Sequence, residues 1–128
     1  MKTFTKIILS LILLGIIGLI GFRMTGNVVS EPGKYDAFAQ CLSDNGVKMY
    51  GAYWCPHCED QKTMFGDSWK NVNYIECSLP QRRGQTQICI AESIQSYPTW
   101  EFADGTRVLG TLSFQELSAR TSCALPQE

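Results

Sequence analysis

The chain has 128 residues, a net charge of −1 and 11% aromatic residues, which limits it to one folded domain with a short additional segment. Its basic residues are spread along the chain, so the composition excludes a dedicated nucleic-acid-binding surface. Six cysteines in so short a chain favour paired thiols in an oxidising compartment.

The first segment is an apolar run. Residues 7–22 carry no charge, Lys2 and Lys6 precede them, and Arg23 follows. A helix over this run is about 24 Å long, against about 30 Å of membrane hydrocarbon, and its flanking basic side chains can snorkel. We therefore predict a single-pass membrane anchor over residues 1–24. Because the positive charge precedes the run, the remainder should be extracytoplasmic. A cleaved signal peptide, giving a secreted domain, is the alternative, although no Ala-x-Ala-like site follows the run.

After the anchor we predict a Gly-, Asn-, Ser- and Pro-containing linker over residues 25–34, a domain over 35–123 and a tail over 124–128. The predicted elements of the domain, in chain order, are a helix over 35–42, a strand over 47–53, a helix from Cys55 to Gly66, a strand over 71–77, a helix over 86–94, strands over 99–103 and 107–110, and a helix from 113 to 121.

Local signals support several of these boundaries. Asn45-Gly46 is typical of a helix stop, and Asp104-Gly105 favours a two-residue hairpin turn. Ser113 and Glu116 have the spacing of a capping box. A βαβ unit followed by a hairpin and a closing helix predicts an α/β fold, with a central mixed sheet of about four strands flanked by helices.

The chemistry is concentrated in Trp54-Cys55-Pro56-His57-Cys58. Two cysteines three apart on the first turn of a helix can form a small disulfide, and Pro56 is tolerated in that turn. The helix N-terminus stabilises a thiolate at Cys55, and a protonated or hydrogen-bonding His57 would add to this effect. We predict that Cys55 is the attacking thiol and that Cys58 resolves the mixed disulfide. Trp54, beside the nucleophile, is a candidate for the substrate groove.

Other interpretations of the motif are an inert disulfide and a metal clip. His57 is the one histidine of the chain, so it has no second imidazole with which to form a metal site. A zinc site that combines Cys55 and Cys58 with Cys77 and Cys89 is disfavoured, because the last two are too far apart for the usual paired knuckles. We therefore predict no metal and no bound cofactor besides the redox-active disulfide.

Five segments carry a resemblance to a known family. They are residues 48–58 (KMYGAYWCPHC), 61–66 (QKTMFG), 74–77 (YIEC), 97–100 (YPTW) and 112–113 (LS). These segments resemble the thioredoxin-like domain that is fused to, or works with, vitamin K epoxide reductase homologues in bacteria and plants, and the likeness runs from about residue 38 to 123.

The resemblance implies a thioredoxin-like fold, with Pro98 in a cis-proline loop beside the active cysteine. It also implies passage of disulfides between substrate proteins and a separate, membrane-bound, vitamin K epoxide reductase-like oxidase. Two positions depart from ordinary thioredoxins. Pro56-His57 resembles the dipeptide of strongly oxidising disulfide donors, and Met49 takes the place of a buried aspartate that would accept the Cys58 proton.

The other four cysteines allow three connectivities. Related domains have cysteines at the places of Cys77 and Cys89, so the resemblance favours a Cys77–Cys89 disulfide. Cys41–Cys123 would then join the first and last helices. We favour a structural role for both pairs over an electron relay to the active site.

The leading functional hypothesis is a monomeric, membrane-anchored dithiol oxidase that donates disulfides to protein thiols. The same residues also suit an anchored reductase or isomerase that acts on protein disulfides, and the Pro56-His57 dipeptide favours the oxidase. A metal-carrying binding module is the alternative from another class.

Overall fold

The computed structural model describes residues 33–125. The predicted anchor and nearly all of the linker lie outside the described residues, as does the end of the tail. Within residues 33–125, no helix is long and apolar enough to span a bilayer. The elements are helices α1 (Asp36–Asp44), α2 (Pro56–Phe65), α3 (Gln87–Ala91) and α4 (Phe114–Thr121), and strands β1 (Lys48–Gly51), β2 (Tyr74–Glu76), β3 (Thr99–Glu101) and β4 (Arg107–Leu109).

The four strands form one mixed sheet in the order β2-β1-β3-β4. β1 and β2 are parallel, with Met49 opposite Tyr74, and are connected through α2. β3 pairs antiparallel with β1 on one side and with β4 on the other. This arrangement confirms the predicted α/β class and its mixed four-stranded sheet, and it fits a thioredoxin-like fold.

The two faces of the sheet differ in what they bury. Successive strand side chains point to opposite faces, so Met49 and Tyr50 belong to different clusters. On the broad face, fifteen buried residues of the described chain form one core with contributions from α1, α2 and α4. On the narrow face, the buried cluster of the described chain consists of four residues, namely Tyr50, Cys77, Cys89 and Ile94.

Several predicted boundaries were wrong. The strands predicted over 47–53 and 71–77 are the shorter Lys48–Gly51 and Tyr74–Glu76. The β3–β4 connection is a five-residue loop over 102–106, because the Gly105 amide donates to the Phe102 carbonyl, which centres the turn on residues 103–104, and Gly105 follows it at a φ of 79°. The helix predicted over 86–94 is the shorter α3, which ends where Ser93 adopts a positive φ of 56° and Ile94 donates back to the Cys89 carbonyl.

The sequence predicted the start of the final helix correctly. Ser113 caps α4, its side chain accepts from the Glu116 amide, and Glu116 in turn accepts from the Ser113 amide, which confirms the capping box. Gly66 ends α2 at a φ of 54°, as predicted, although a 3-10 segment, Gly66–Asn71, follows without any signal that we recognised.

Two disulfides link the elements. Cys41 in α1 is bonded to Cys123, two residues beyond the end of α4, and Cys77 after β2 is bonded to Cys89 in α3. Both pairings agree with the sequence predictions: the resemblance favours Cys77–Cys89, and Cys41–Cys123 is the pair that remains. Cys77 and Cys89 are both fully buried, so neither sulfur is open to exchange with a protein in solution.

Candidate active site

The site is built on the N-terminus of α2. Cys55 is the N-cap residue, in an extended conformation, and Pro56 is the first helical residue, where its missing amide hydrogen costs nothing. The Cys55 amide donates to the Ala52 carbonyl over 3.0 Å, which closes a turn between β1 and α2. Cys55 and Cys58 both carry free thiols, and they are 7% and 0% exposed, respectively.

The loop before β3 lies against the first cysteine. The Tyr97–Pro98 peptide bond is cis, and the Cys55 thiol donates to the Tyr97 carbonyl over 3.5 Å. The Pro98 side chain is fully buried, and its carbonyl accepts from the Gly110 amide over 2.9 Å. The structure therefore brings together Cys55 and Pro98, forty-three positions apart in the sequence.

The second cysteine lies in the broad-face core. Burial raises the pKa of the Cys58 thiol to about 12, although a backbone hydrogen bond from Ala52 and the positive charge of Lys62 act in the opposite direction. The neighbouring Cys55 adds to the increase. Cys58 is consequently a protonated thiol at neutral pH, and it can act as a nucleophile only after it has lost its proton.

Trp54 is partly exposed and is held in place on three sides. Its indole nitrogen donates to the Ser78 hydroxyl over 2.8 Å, and its ring meets that of Tyr97 edge-on with centroids 6.0 Å apart. The Arg82 guanidinium lies 5.2 Å from the centroid of the same ring. Arg82 is itself exposed, and its guanidinium forms one side of the surroundings of Trp54. The positive φ of 57° at Arg82 belongs to the turn that places it there.

His57 does not contact the thiols. Its side chain is 72% exposed, and Nδ1 lies 3.7 Å from the Asp60 carboxylate. The His57 carbonyl accepts from the Thr111 hydroxyl over 3.2 Å, so its backbone helps to join α2 to the segment before α4. The predicted stabilisation of Cys55 by a direct imidazole contact is therefore not supported by this geometry.

Gln61 is a residue that the sequence argument missed. Its side chain is 0% exposed, and its Oε1 accepts from the Leu112 amide over 2.7 Å and from the Trp100 indole over 3.2 Å. Its Nε2 donates to the Leu112 carbonyl over 3.0 Å. Gln61 thus fixes the active-site helix to the central strand β3 and to the start of α4. A glutamine one helical turn after Cys58, on the same face, was the available signal.

The described residues contain no cluster of side chains suited to binding a metal ion. Within residues 33–125, no three His, Cys, Asp or Glu side chains are grouped as metal ligands. The four-cysteine zinc set considered from the sequence cannot form while Cys77 and Cys89 are bonded to each other. The arrangement instead places a pair of thiols beside a cis-proline loop, which suits thiol–disulfide exchange.

Comparison with known proteins agrees with this chemistry. No protein-family profile matches the chain. The chain is similar to the thiol-disulfide oxidoreductase LTO1 of Arabidopsis thaliana, with 41% identity over 96 residues, which cover 71% of this chain and 25% of the relative. The chain thus spans about a quarter of the length of the curated relative that it matches.

Proposed function

We propose that this chain, whose described residues form a thioredoxin-like domain, is a protein thiol–disulfide oxidoreductase. The observation that carries the proposal is the pair of free cysteines at the start of α2, with the Cys55 thiol against the cis-Pro98 loop. The similarity to a relative named a thiol-disulfide oxidoreductase supports it.

The reaction follows from the difference between the two thiols. In the disulfide form, a substrate thiolate attacks Cys55, a mixed disulfide forms, and Cys58 leaves with the electron pair and is protonated. A second substrate thiolate then attacks the substrate sulfur of the mixed disulfide and releases Cys55. The substrate gains one disulfide, and the Cys55–Cys58 pair takes up two electrons. Because Cys55, at the helix N-terminus, is 7% exposed and Cys58 is 0% exposed, the first attack occurs at Cys55.

We also propose a direction of disulfide transfer, a cellular location and a redox partner. We propose that the domain donates disulfides, that the apolar run over residues 7–22 anchors it at the extracytoplasmic side, and that a separate vitamin K epoxide reductase-like oxidase reoxidises it. The Pro56-His57 dipeptide supports the oxidising direction, and the charge distribution around the run supports the location. The likeness of residues 38–123 to domains that work with such oxidases supports the partner.

The experiment that tests the proposal is the reduction potential of the Cys55–Cys58 pair. The full chain, in detergent micelles, is equilibrated with glutathione buffers, and the redox state of the pair is read by alkylation and mass spectrometry. A potential near about −120 mV would support disulfide donation, and one near about −270 mV would overturn it in favour of a reductase. The Cys58→Ser variant is the control, because it retains Cys55 but cannot form the intramolecular disulfide. A pair that never cycles, with stoichiometric metal bound, would contradict the oxidoreductase itself.

A further inference from the structure

Gly51, which has no side chain, lies beside two titratable side chains behind the active site. A methyl group at this position would lie 3.0 Å from Cys58 Sγ, 3.2 Å from Tyr74 Oη and 2.7 Å from Tyr74 Cε2. The thiol of Cys58 and the phenol of Tyr74 therefore converge on the same small space beside β1. Tyr74 reaches it from β2, which is paired with β1 in parallel.

Tyr74 is connected to a carboxylate. Its hydroxyl donates to Glu76 Oε2 over 2.7 Å. The other oxygen of that carboxylate, Oε1, accepts from the Ser78 amide over 2.8 Å and from the Tyr53 amide over 3.3 Å. These two backbone contacts hold Glu76 with one oxygen towards Tyr74. The carboxylate is half-buried, so it also has access to solvent.

The groups around Cys58 leave few other routes for its proton. Cys55 faces it from the start of α2, and Lys62, further along α2, lies with its ammonium 4.6 Å from the centroid of the Tyr74 ring. On β1, the position from which a carboxylate could serve is taken by the fully buried Met49. Burial raises the pKa of Tyr74, and the hydrogen bond to Glu76 raises it further, so its hydroxyl stays protonated and can only pass a proton on.

We propose that Tyr74 and Glu76 form the proton path of Cys58, and that they replace the missing carboxylate on β1. This inference rests on the proposed function, because it concerns the reoxidation of the Cys55–Cys58 pair. It assigns a role in the reaction to two residues of β2, outside the Cys-Pro-His-Cys motif.

During reoxidation, Cys55 loses its proton to solvent and its thiolate attacks a disulfide of the oxidant; that S–S bond breaks, one oxidant sulfur leaves as a thiolate, and the other stays bonded to Cys55 as a mixed disulfide. The Cys58 S–H bond then breaks as its proton moves to Tyr74 Oη, while the Tyr74 proton moves to Glu76 Oε2. The resulting Cys58 thiolate attacks Cys55, an S–S bond forms between them, and the oxidant sulfur leaves with the electron pair. Glu76 returns its proton to solvent.

The same sheet provides a matched control pair. Tyr50, on the narrow face, is a buried tyrosine whose hydroxyl lies 3.5 Å from the Glu101 carboxylate. It therefore repeats the Tyr–Glu arrangement on the side of the sheet that does not contain Cys58. The Tyr50→Phe and Glu101→Gln variants remove the same groups as Tyr74→Phe and Glu76→Gln.

The test separates the two steps of reoxidation in the full chain. The Cys55–Cys58 pair is reduced selectively, and the protein is mixed with oxidised glutathione over a range of pH and quenched in acid. Mass spectrometry then distinguishes the glutathione mixed disulfide from the internal disulfide. We expect Tyr74→Phe and Glu76→Gln to slow the resolution of the mixed disulfide by about 100-fold at pH 7, which is the low end of what general acid–base groups contribute. The rate of mixed-disulfide formation should stay at the wild-type value.

The pH profile distinguishes a proton path from a merely structural role. The resolution rate of the two variants should keep rising with pH where that of the wild type levels off, because hydroxide replaces the lost acceptor. The control variants Tyr50→Phe and Glu101→Gln should show the same dependence of the resolution rate on pH as the wild type. Unchanged resolution and an unchanged profile in Glu76→Gln, which retains the contacts of Oε1, would overturn the inference. A wild-type chain that forms no internal disulfide would instead overturn the proposed function.

Discussion

The two faces of the sheet are stabilised by different means. The broad face buries fifteen residues of the described chain, among them Phe65, whose ring centroid lies 4.9 Å from that of Phe114 and 6.2 Å from that of Phe38. The narrow face buries four, and two of these form the Cys77–Cys89 disulfide. Around this small cluster the narrow face is charged. Arg107 there donates to the Glu101 carboxylate over 2.7 Å.

This difference explains where the reactive cysteines are placed. Raising the pKa of Cys58 requires the removal of water, which the broad face provides through the same apolar burial that stabilises the fold. The narrow face has too little buried apolar surface for that purpose. A covalent link there supplies stability that packing cannot.

The largest effect is expected on the broad face. Phe65→Ala removes a fully buried ring from the aromatic cluster and should lower the free energy of unfolding by about 3–5 kcal/mol. The matched control is Leu109→Ala on the narrow face, where the side chain is exposed and the loss should stay within about 0.5 kcal/mol. Both are measured by denaturant unfolding under oxidising conditions. Similar losses for the two variants would contradict the comparison.

An intermediate effect is expected from the narrow-face disulfide. Replacing both Cys77 and Cys89 by alanine opens a link between residues 12 apart and should cost about 3 kcal/mol, as measured by denaturant unfolding. Since neither sulfur is exposed, the potential of the Cys55–Cys58 pair should not change. An altered potential would indicate that the buried disulfide exchanges electrons with the active site, against the structural role assigned to it.

The smallest effect concerns the ion pairs of the narrow face. Burial acts against ionisation of Glu101, but hydrogen bonds from Arg107 and Lys48 outweigh it and lower the pKa of the carboxyl below its ordinary value. A depressed pKa stabilises the fold at neutral pH, and this contribution is lost as the pH falls through the folded-state pKa. Glu101→Gln should therefore cost about 1 kcal/mol at pH 7 and progressively less below pH 4.5. A difference in unfolding free energy that is independent of pH would contradict this assignment.

The sequence predicted best what depends on neighbouring residues. The capping box at Ser113 and Glu116 involves contacts within one turn of helix, and the position of Cys55 at the start of α2 follows from Pro56 and the preceding apolar strand. The type and order of the eight elements follow from similar local patterns. The anchor, the membrane location and the oxidase partner remain predictions.

Contacts between residues that are distant in the sequence could not be predicted from local sequence patterns. The convergence of Tyr74 on Cys58 depends on the register of β1 with β2 and on the missing side chain at Gly51, neither of which a local pattern reveals. The β3–β4 turn was misjudged because Asp104-Gly105 suits a two-residue turn, yet the Asp104 carboxylate accepts from the Thr106 amide inside a wider loop. The Gly105 amide donates to the Phe102 carbonyl, so the turn is centred one residue earlier than Asp104-Gly105 predicts.

The Cys41–Cys123 disulfide has a mechanical consequence. It joins residues 82 positions apart, near the two ends of the described chain, so everything between them forms one covalent ring. A pulling force applied through the two termini would pass across this bond and bypass the sheet, which would remain folded under tension. For the same reason, a single proteolytic cut between residues 41 and 123 would leave the fragments joined, and they would migrate as one species until a reductant is added.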